Sequence, residues 1–161
     1  MHLSTVIISI LCATFPATPD ATHTPAAPSG REDRLVKRFD FDERTLGNYE
    51  SMPINWRRIT ADGFPRFLEP RFDQTVGHDA APSLYLPVVS GSCGIHYLGR
   101  DIEVLPGCDY LVSAWIKPDR LIHAGARVHA YYVDASTKKL TEADQVSPAV
   151  QFDGRAVSWQ H

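Results

Sequence analysis

With 161 residues and a formal net charge of −3, the chain is long enough for one domain with appendages and too short for two. Its near-neutral balance excludes the basic face that nucleic acid requires: Arg57-Arg58 and Lys138-Lys139 are pairs on a solvated surface, not patches. An apolar share of 43% with 22% charged residues is ordinary for a soluble protein able to build a core.

The chain opens on an almost continuous apolar run, Leu3 to Phe15, followed by Pro16-Ala17-Thr18-Pro19-Asp20-Ala21. The run is shorter than the ~20 residues that span a bilayer, so no stable membrane insertion is expected. It fits the apolar region of an export signal, with 1–21 as the signal peptide. The implied location is secreted, periplasmic or on the cell surface. Leu11 stands where a lipidated cysteine at position 12 would need Gly or Ala, which argues against a lipoprotein. Residues 22–34 are rich in Pro, Ala and Thr without apolar periodicity and form a leader outside the core.

The domain is expected over 35–161. Phe39-Asp40-Phe41-Asp42 alternates as a first strand, and Ile54–Ile59 is a second after the Met52-Pro53 turn. Asp62 to His78 holds Gly63, Pro65, Pro70 and Gly77 and reads as a long loop. On it, Phe64, Phe67 and Phe72 either present an aromatic rim or plug the core beneath. Four further strands are expected at Ser83–Val89, Gly94–Val104 (with a break near Gly99), Asp109–Lys117 and Ala126–Asp134. Helix is expected only in the exported segment and in a turn or two at Asp119–Ala124. Short, evenly spaced strands without a helical stripe predict an all-β, antiparallel sandwich.

Cys93 and Cys108 remain after removal of 1–21, and two cysteines in an exported chain predict a disulfide. A hairpin turning at Gly99-Arg100 sets them face to face. One continuous bent strand between them leaves two separate thiols instead. Enzyme machinery is missing from the sequence. Ser90-Gly91-Ser92-Cys93-Gly94 lacks the first glycine of a nucleophile elbow, and there is no phosphate loop, dinucleotide fingerprint, His-Glu-x-x-His or Cys-x-x-Cys. Catalysis is therefore not expected of this chain.

The stretch Leu105-Pro106-Gly107-Cys108-Asp109-Tyr110-Leu111-Val112-Ser113-Ala114-Trp115-Ile116-Lys117, a Pro-Gly turn followed by Tyr-x-x-Ser-x-Trp-x-Lys, resembles the galactose-binding-like jelly roll. The likeness is to carbohydrate-binding modules of the cellulose- and xylan-binding kind, and it runs from about Phe39 to His161. It implies a jelly roll truncated at its C-terminal strands, since Ala156–His161 looks like the start of a penultimate strand. A downstream domain of the same protein is therefore expected. The resemblance also implies a structural calcium. Asp40, Asp42 and Glu43 supply hard oxygens close together, and Asp73 and Asp79 lie in the region that contributes further ligands.

Strand alternation sorts the candidates for a ligand. Tyr110, Val112, Ala114 and Ile116 share one face, and Ser113, Trp115 and Lys117 the other. Ala126, Val128, Ala130 and Tyr132 share one face, and Arg127, His129 and Tyr131 the other. His96 lies opposite Ile95 and Tyr97. The polar and aromatic set His96, Trp115, Arg127, His129 and Tyr131 suits a glycan or another extracellular polymer, because aromatic rings stack on sugar C–H faces and polar groups bond hydroxyls. A jelly roll acting as a structural spacer or docking domain is the alternative, as is the accessory part of a hydrolase encoded downstream.

Overall fold

The computed structural model describes residues 4–14 (as backbone), 34–98, 101–105, 108–134, 136, 138–140, 144–152, 154 and 157–161. These form eight strands: β1 (Ser4–Thr14), β2 (Trp56–Arg58), β3 (Arg71–Asp73), β4 (Ser83–Tyr85), β5 (Cys93–Tyr97), β6 (Glu103–Val104), β7 (Ala124–Val133) and β8 (Gln145–Val146). The single helical element among the described residues is a 3-10 turn, Glu43–Leu46, closed by Gly47 in the left-handed conformation. The all-β class is as the sequence predicts. The turn expected at Asp119–Ala124 forms without becoming helical, and its last residue already belongs to β7.

The strands make two antiparallel sheets. The larger runs β2-β5-β1-β7-β8, with β6 also pairing β1, and the smaller is the β3–β4 ribbon. β1 is the centre of the larger sheet. It registers along β7 from Thr5 opposite Val133 to Thr14 opposite Ala124, and along β5 from Ser9 opposite His96 to Cys12 opposite Cys93. The segment read as a helical export signal is thus a strand in the structure. Val6, Ile7, Ile8 and Ile10 are β-branched, a composition that favours extended backbone wherever a sheet offers two open edges.

β5 and β6 are both antiparallel to β1, so they run in the same direction, and they do not pair with each other. The turn expected at Gly99-Arg100 falls on two positions outside the described residues. The expected disulfide is absent: Cys93 is a buried free thiol and Cys108 an exposed one. Three other expectations are corrected. Phe39–Asp42 is not a strand, although its alternation survives, with Phe39 and Phe41 packed inward and Asp40 and Asp42 exposed. The long loop 62–78 contains β3, which pairs β4 from Arg71 opposite Tyr85 to Asp73 opposite Ser83. Asp109–Lys117 forms no strand; its one ladder contact among the described residues is the bridge of Ile116 to Gln160.

The core lies on the β2–β5 side. Trp56, Ile95, Tyr97 and Ile102 are buried together, with Phe39, Phe41, Met52, Leu84, Leu86, Val104 and Tyr132 packed around them. Phe39 meets Trp56 and Tyr97 edge-on, with centroids 5.2 and 4.7 Å apart. Leu84 of β4 ties the small ribbon to this cluster. Of the loop aromatics, Phe72 is buried as a plug while Phe67 is exposed. Gly91 lets the loop before β5 approach the one after β2: its φ is +83°, and an added Cβ would lie 2.7 Å from Pro65 Cγ. Ser92 N–H donates to the Gly63 carbonyl at 2.8 Å across the same approach.

Candidate functional site

β7 carries the site. Alternation buries Ala124, Ala126 and Val128 on one face and leaves Arg127, His129 and Tyr131 half-buried on the other. The register then adds β5. His96 and His129 both lie opposite Ser9, so one rung of the sheet carries a histidine on each side of β1. His96 sits between the buried Ile95 and Tyr97, which fixes it on the same outer face. Four of the five residues that the sequence nominates thus share one surface: His96, Arg127, His129 and Tyr131.

The fifth, Trp115, stands elsewhere. It is 49% exposed and stacks on His78, with centroids 4.0 Å apart and an interplanar angle of 20°. His161 tilts against its ring at 4.7 Å, and Trp159 meets His78 edge-on at 5.8 Å. Because Asp109–Lys117 is outside the sheet, strand alternation does not place its side chains beside those of β7.

Two residues join the β7 face that sequence reasoning missed. The β7–β8 pairing sets Val146 opposite His129, which brings the preceding Asp144 over that ring. Asp144 Oδ1 meets His129 Nε2, and Lys139 Nζ donates to Asp144 Oδ2. Lys139 Nζ also lies 4.9 Å from the centroid of the Tyr131 ring, and the rings of His129 and Tyr131 are 5.3 Å apart. The hydrogen bond from Lys139, followed by that from His129, holds the Asp144 carboxyl below the usual carboxylate range. The group is an anion braced by two nitrogen donors beside an aromatic face. No local motif announces it, because Lys139 and Asp144 reach β7 only through the returning strand.

His96 differs in character. Burial, and then the nearby Arg57 cation, hold its pKa below the ordinary value, so it is a neutral imidazole at neutral pH. Burial also pushes the Tyr97 phenol up to about 12, with a further contribution from its hydrogen bond to Asp101. Lys37 Nζ in turn donates to Asp101 Oδ2 at 2.7 Å. Tyr97 and Asp101 belong to the core's polar rim and not to the β7 face.

The residues nominated for calcium do not converge into one shell. Asp40 and Asp42 come together, and the hydrogen bond and charge of Asp40 raise the Asp42 pKa. Glu43 Oε2 accepts from Asn48 Nδ2 and from Ile54 N–H. Asp73 Oδ1 accepts from Thr75 N–H, Thr75 Oγ and Val76 N–H and closes a local turn. Asp79 pairs with His78 and Arg38. Among the described residues no group of three or more His, Cys, Asp or Glu is arranged to hold a metal ion. Likewise, no helix there is long and apolar enough to cross a membrane.

A shallow depression lined by Thr60, Ala61, Asp62, Phe64 and Arg66 follows β2, on the far side of the sheet order from β8. It holds one aromatic ring and no convergent set of donors. No family model, no curated protein and no solved structure matches the chain.

Proposed function

We propose that the chain is an exported, non-catalytic module that binds a glycan, and that it forms the N-terminal part of a larger extracellular or envelope protein. The observation that carries this reading is the β7 face. Tyr131 offers a ring, and His129, Asp144 and Lys139 form a hydrogen-bonded set beside it. A sugar presents an apolar C–H face and a rim of hydroxyls that both donate and accept. A carboxylate accepts from hydroxyls, an ammonium donates to them, and an imidazole does either. No nucleophile accompanies the His129–Asp144 pair among the contacts described, and that favours binding over hydrolysis. Export rests on the apolar segment at Leu3–Phe15, and the downstream domain on the resemblance to cellulose- and xylan-binding modules.

The test is a glycan array followed by titration with xylan- and cellulose-derived oligosaccharides. One aromatic stacking contact is worth about 1 kcal/mol, which places Kd between roughly micromolar and millimolar. Tyr131→Ala is expected to weaken binding by about 5-fold, that same contact expressed as a ratio, with the fold retained. Silence across plant, algal and microbial glycans removes the reading and leaves a structural spacer or docking domain in its place.

A further inference from the structure

β1 occupies a place in the sheet that the rest of the chain is built to fill. It lies between β5 with β6 on one side and β7 on the other, antiparallel to all three. The segment that links β6 to β7 in the chain contains Asp109–Lys117. A strand linking two parallel neighbours by tight reversals at each end is antiparallel to both and lies between them. That is the position and direction of β1.

Asp109–Lys117 already carries the pattern of such a strand. Tyr110, Val112, Ala114 and Ile116 are half-buried, while Leu111, Ser113, Trp115 and Lys117 are exposed, a period of two maintained through a stretch that is not in a sheet. Leu111 is 93% exposed. The sheet register fits this pattern. Ile10 lies opposite both Ile95 and Val128, and Cys12 opposite both Cys93 and Ala126, all four of these neighbours buried. If the half-buried face is set toward the core, Ala114 takes the position of Ile10 and Ile116 that of Cys12. Cys108 then stands opposite Val104 and Asp109 opposite Glu103, so the chain reverses through Leu105-Pro106-Gly107. Trp115 takes the position of Leu11, opposite Gly94 and Arg127, and the glycine leaves room for the indole. Ser113 takes the position of Ser9, between His96 and His129.

We infer that Ser4–Thr14 is a placeholder for Asp109–Lys117, and that its removal on export lets the later segment enter the sheet and carries Trp115 onto the face of His96, Arg127, His129 and Tyr131. The leader thereby keeps the binding face incomplete until the chain has been exported. The exchange rests on the export reading of 1–21, and its consequence for ligand on the proposed glycan function. Short reversals join Asp109–Lys117 to both neighbours, so the entropic cost of closing them is small, and pairing along both open edges drives the exchange once the leader is gone.

The experiment compares the exported chain with the full chain made without export, both carrying Cys12→Ser, Cys108→Ser and Ile116→Cys. Intact mass establishes whether 1–21 has left. Under mild oxidation the processed chain is expected to join Cys93 to the thiol introduced by Ile116→Cys, mapped by non-reducing digestion. The full chain is expected not to, since β1 holds the position opposite Cys93. Hydrogen exchange on the unsubstituted processed chain gives a second reading: the Val112–Ile116 amides become protected, alongside those of β5 and β7. An exported chain that keeps 1–21, a link absent from the processed chain or equal in both, or loss of protection throughout β5 and β7 overturns the inference. A linked chain that binds no xylan- or cellulose-derived oligosaccharide removes the glycan reading and leaves the strand exchange standing.

Discussion

Gly91→Ala tests the junction of the two loops that flank the core. Two separate costs act at this position. The first is conformational: φ is +83°, and an L-residue held in the left-handed region costs about 1–2 kcal/mol. The second is steric. The new Cβ meets Pro65 Cγ at 2.7 Å, Pro65 Cδ at 2.8 Å and the Gly63 carbonyl oxygen at 3.2 Å. Relief requires moving a ring that is part of the backbone, and overpacking of this kind costs about 1–3 kcal/mol. The sum is a loss of about 2–5 kcal/mol, measured as a fall in the urea midpoint at constant slope. A double-mutant cycle separates the two parts. Pro65→Ala removes Cγ and Cδ, so in that background Gly91→Ala is expected to cost the conformational part, about 1–2 kcal/mol, and only the smaller steric part left by the Gly63 oxygen at 3.2 Å. Additive effects of the two substitutions would refute the packing argument. A combined cost below about 0.5 kcal/mol, the scale of an unremarkable surface change, would refute both arguments.

Ile95→Ala empties the centre of the core, where the side chain has no exposed surface, and is expected to cost about 2–5 kcal/mol by chemical denaturation. Cys108 is expected to alkylate well before Cys93 in a timed iodoacetamide experiment, because burial pushes the Cys93 thiol up to about 11 while Cys108 is exposed. His96 has a depressed folded pKa, so its contribution is fully present above its unfolded value of about 6.5 and is lost as pH falls through the folded value. His96→Gln is expected to flatten that part of the stability–pH curve. Asp144 is also depressed, and its contribution is lost below about pH 4, the unfolded range of a carboxylate; Asp144→Asn is expected to remove that acid limb, followed by circular dichroism against pH.

The all-β class was legible because its signal is local. Alternation from Ser83 onward follows from the two-residue repeat of a strand, and the faces of β7 follow from the same repeat. The inward packing of Phe39 and Phe41 was legible for that reason too, even though no strand forms there. What was not legible depends on partners distant in sequence. Whether Cys93 and Cys108 face each other turns on the direction of β6, set by pairing with β1 and not by spacing. β3 hides in a loop rich in Pro and Gly because its three residues gain a ladder only from β4. Asp144 and Lys139 become part of the candidate site through the return of β8. Trp115 fails to join β7 because another segment of the chain holds the position its own pattern fits.

The pairing of β1 also dictates when the sheet can form. β1 ends at Thr14, and its neighbours begin at Cys93 and Ala124. At about 5–20 residues per second of synthesis, roughly 4–16 s separate the emergence of the first strand from that of its first partner. Throughout that interval the larger sheet has no edge to offer the N-terminal segment. The larger sheet therefore closes late in synthesis, and its central strand is the one that waits longest for a partner.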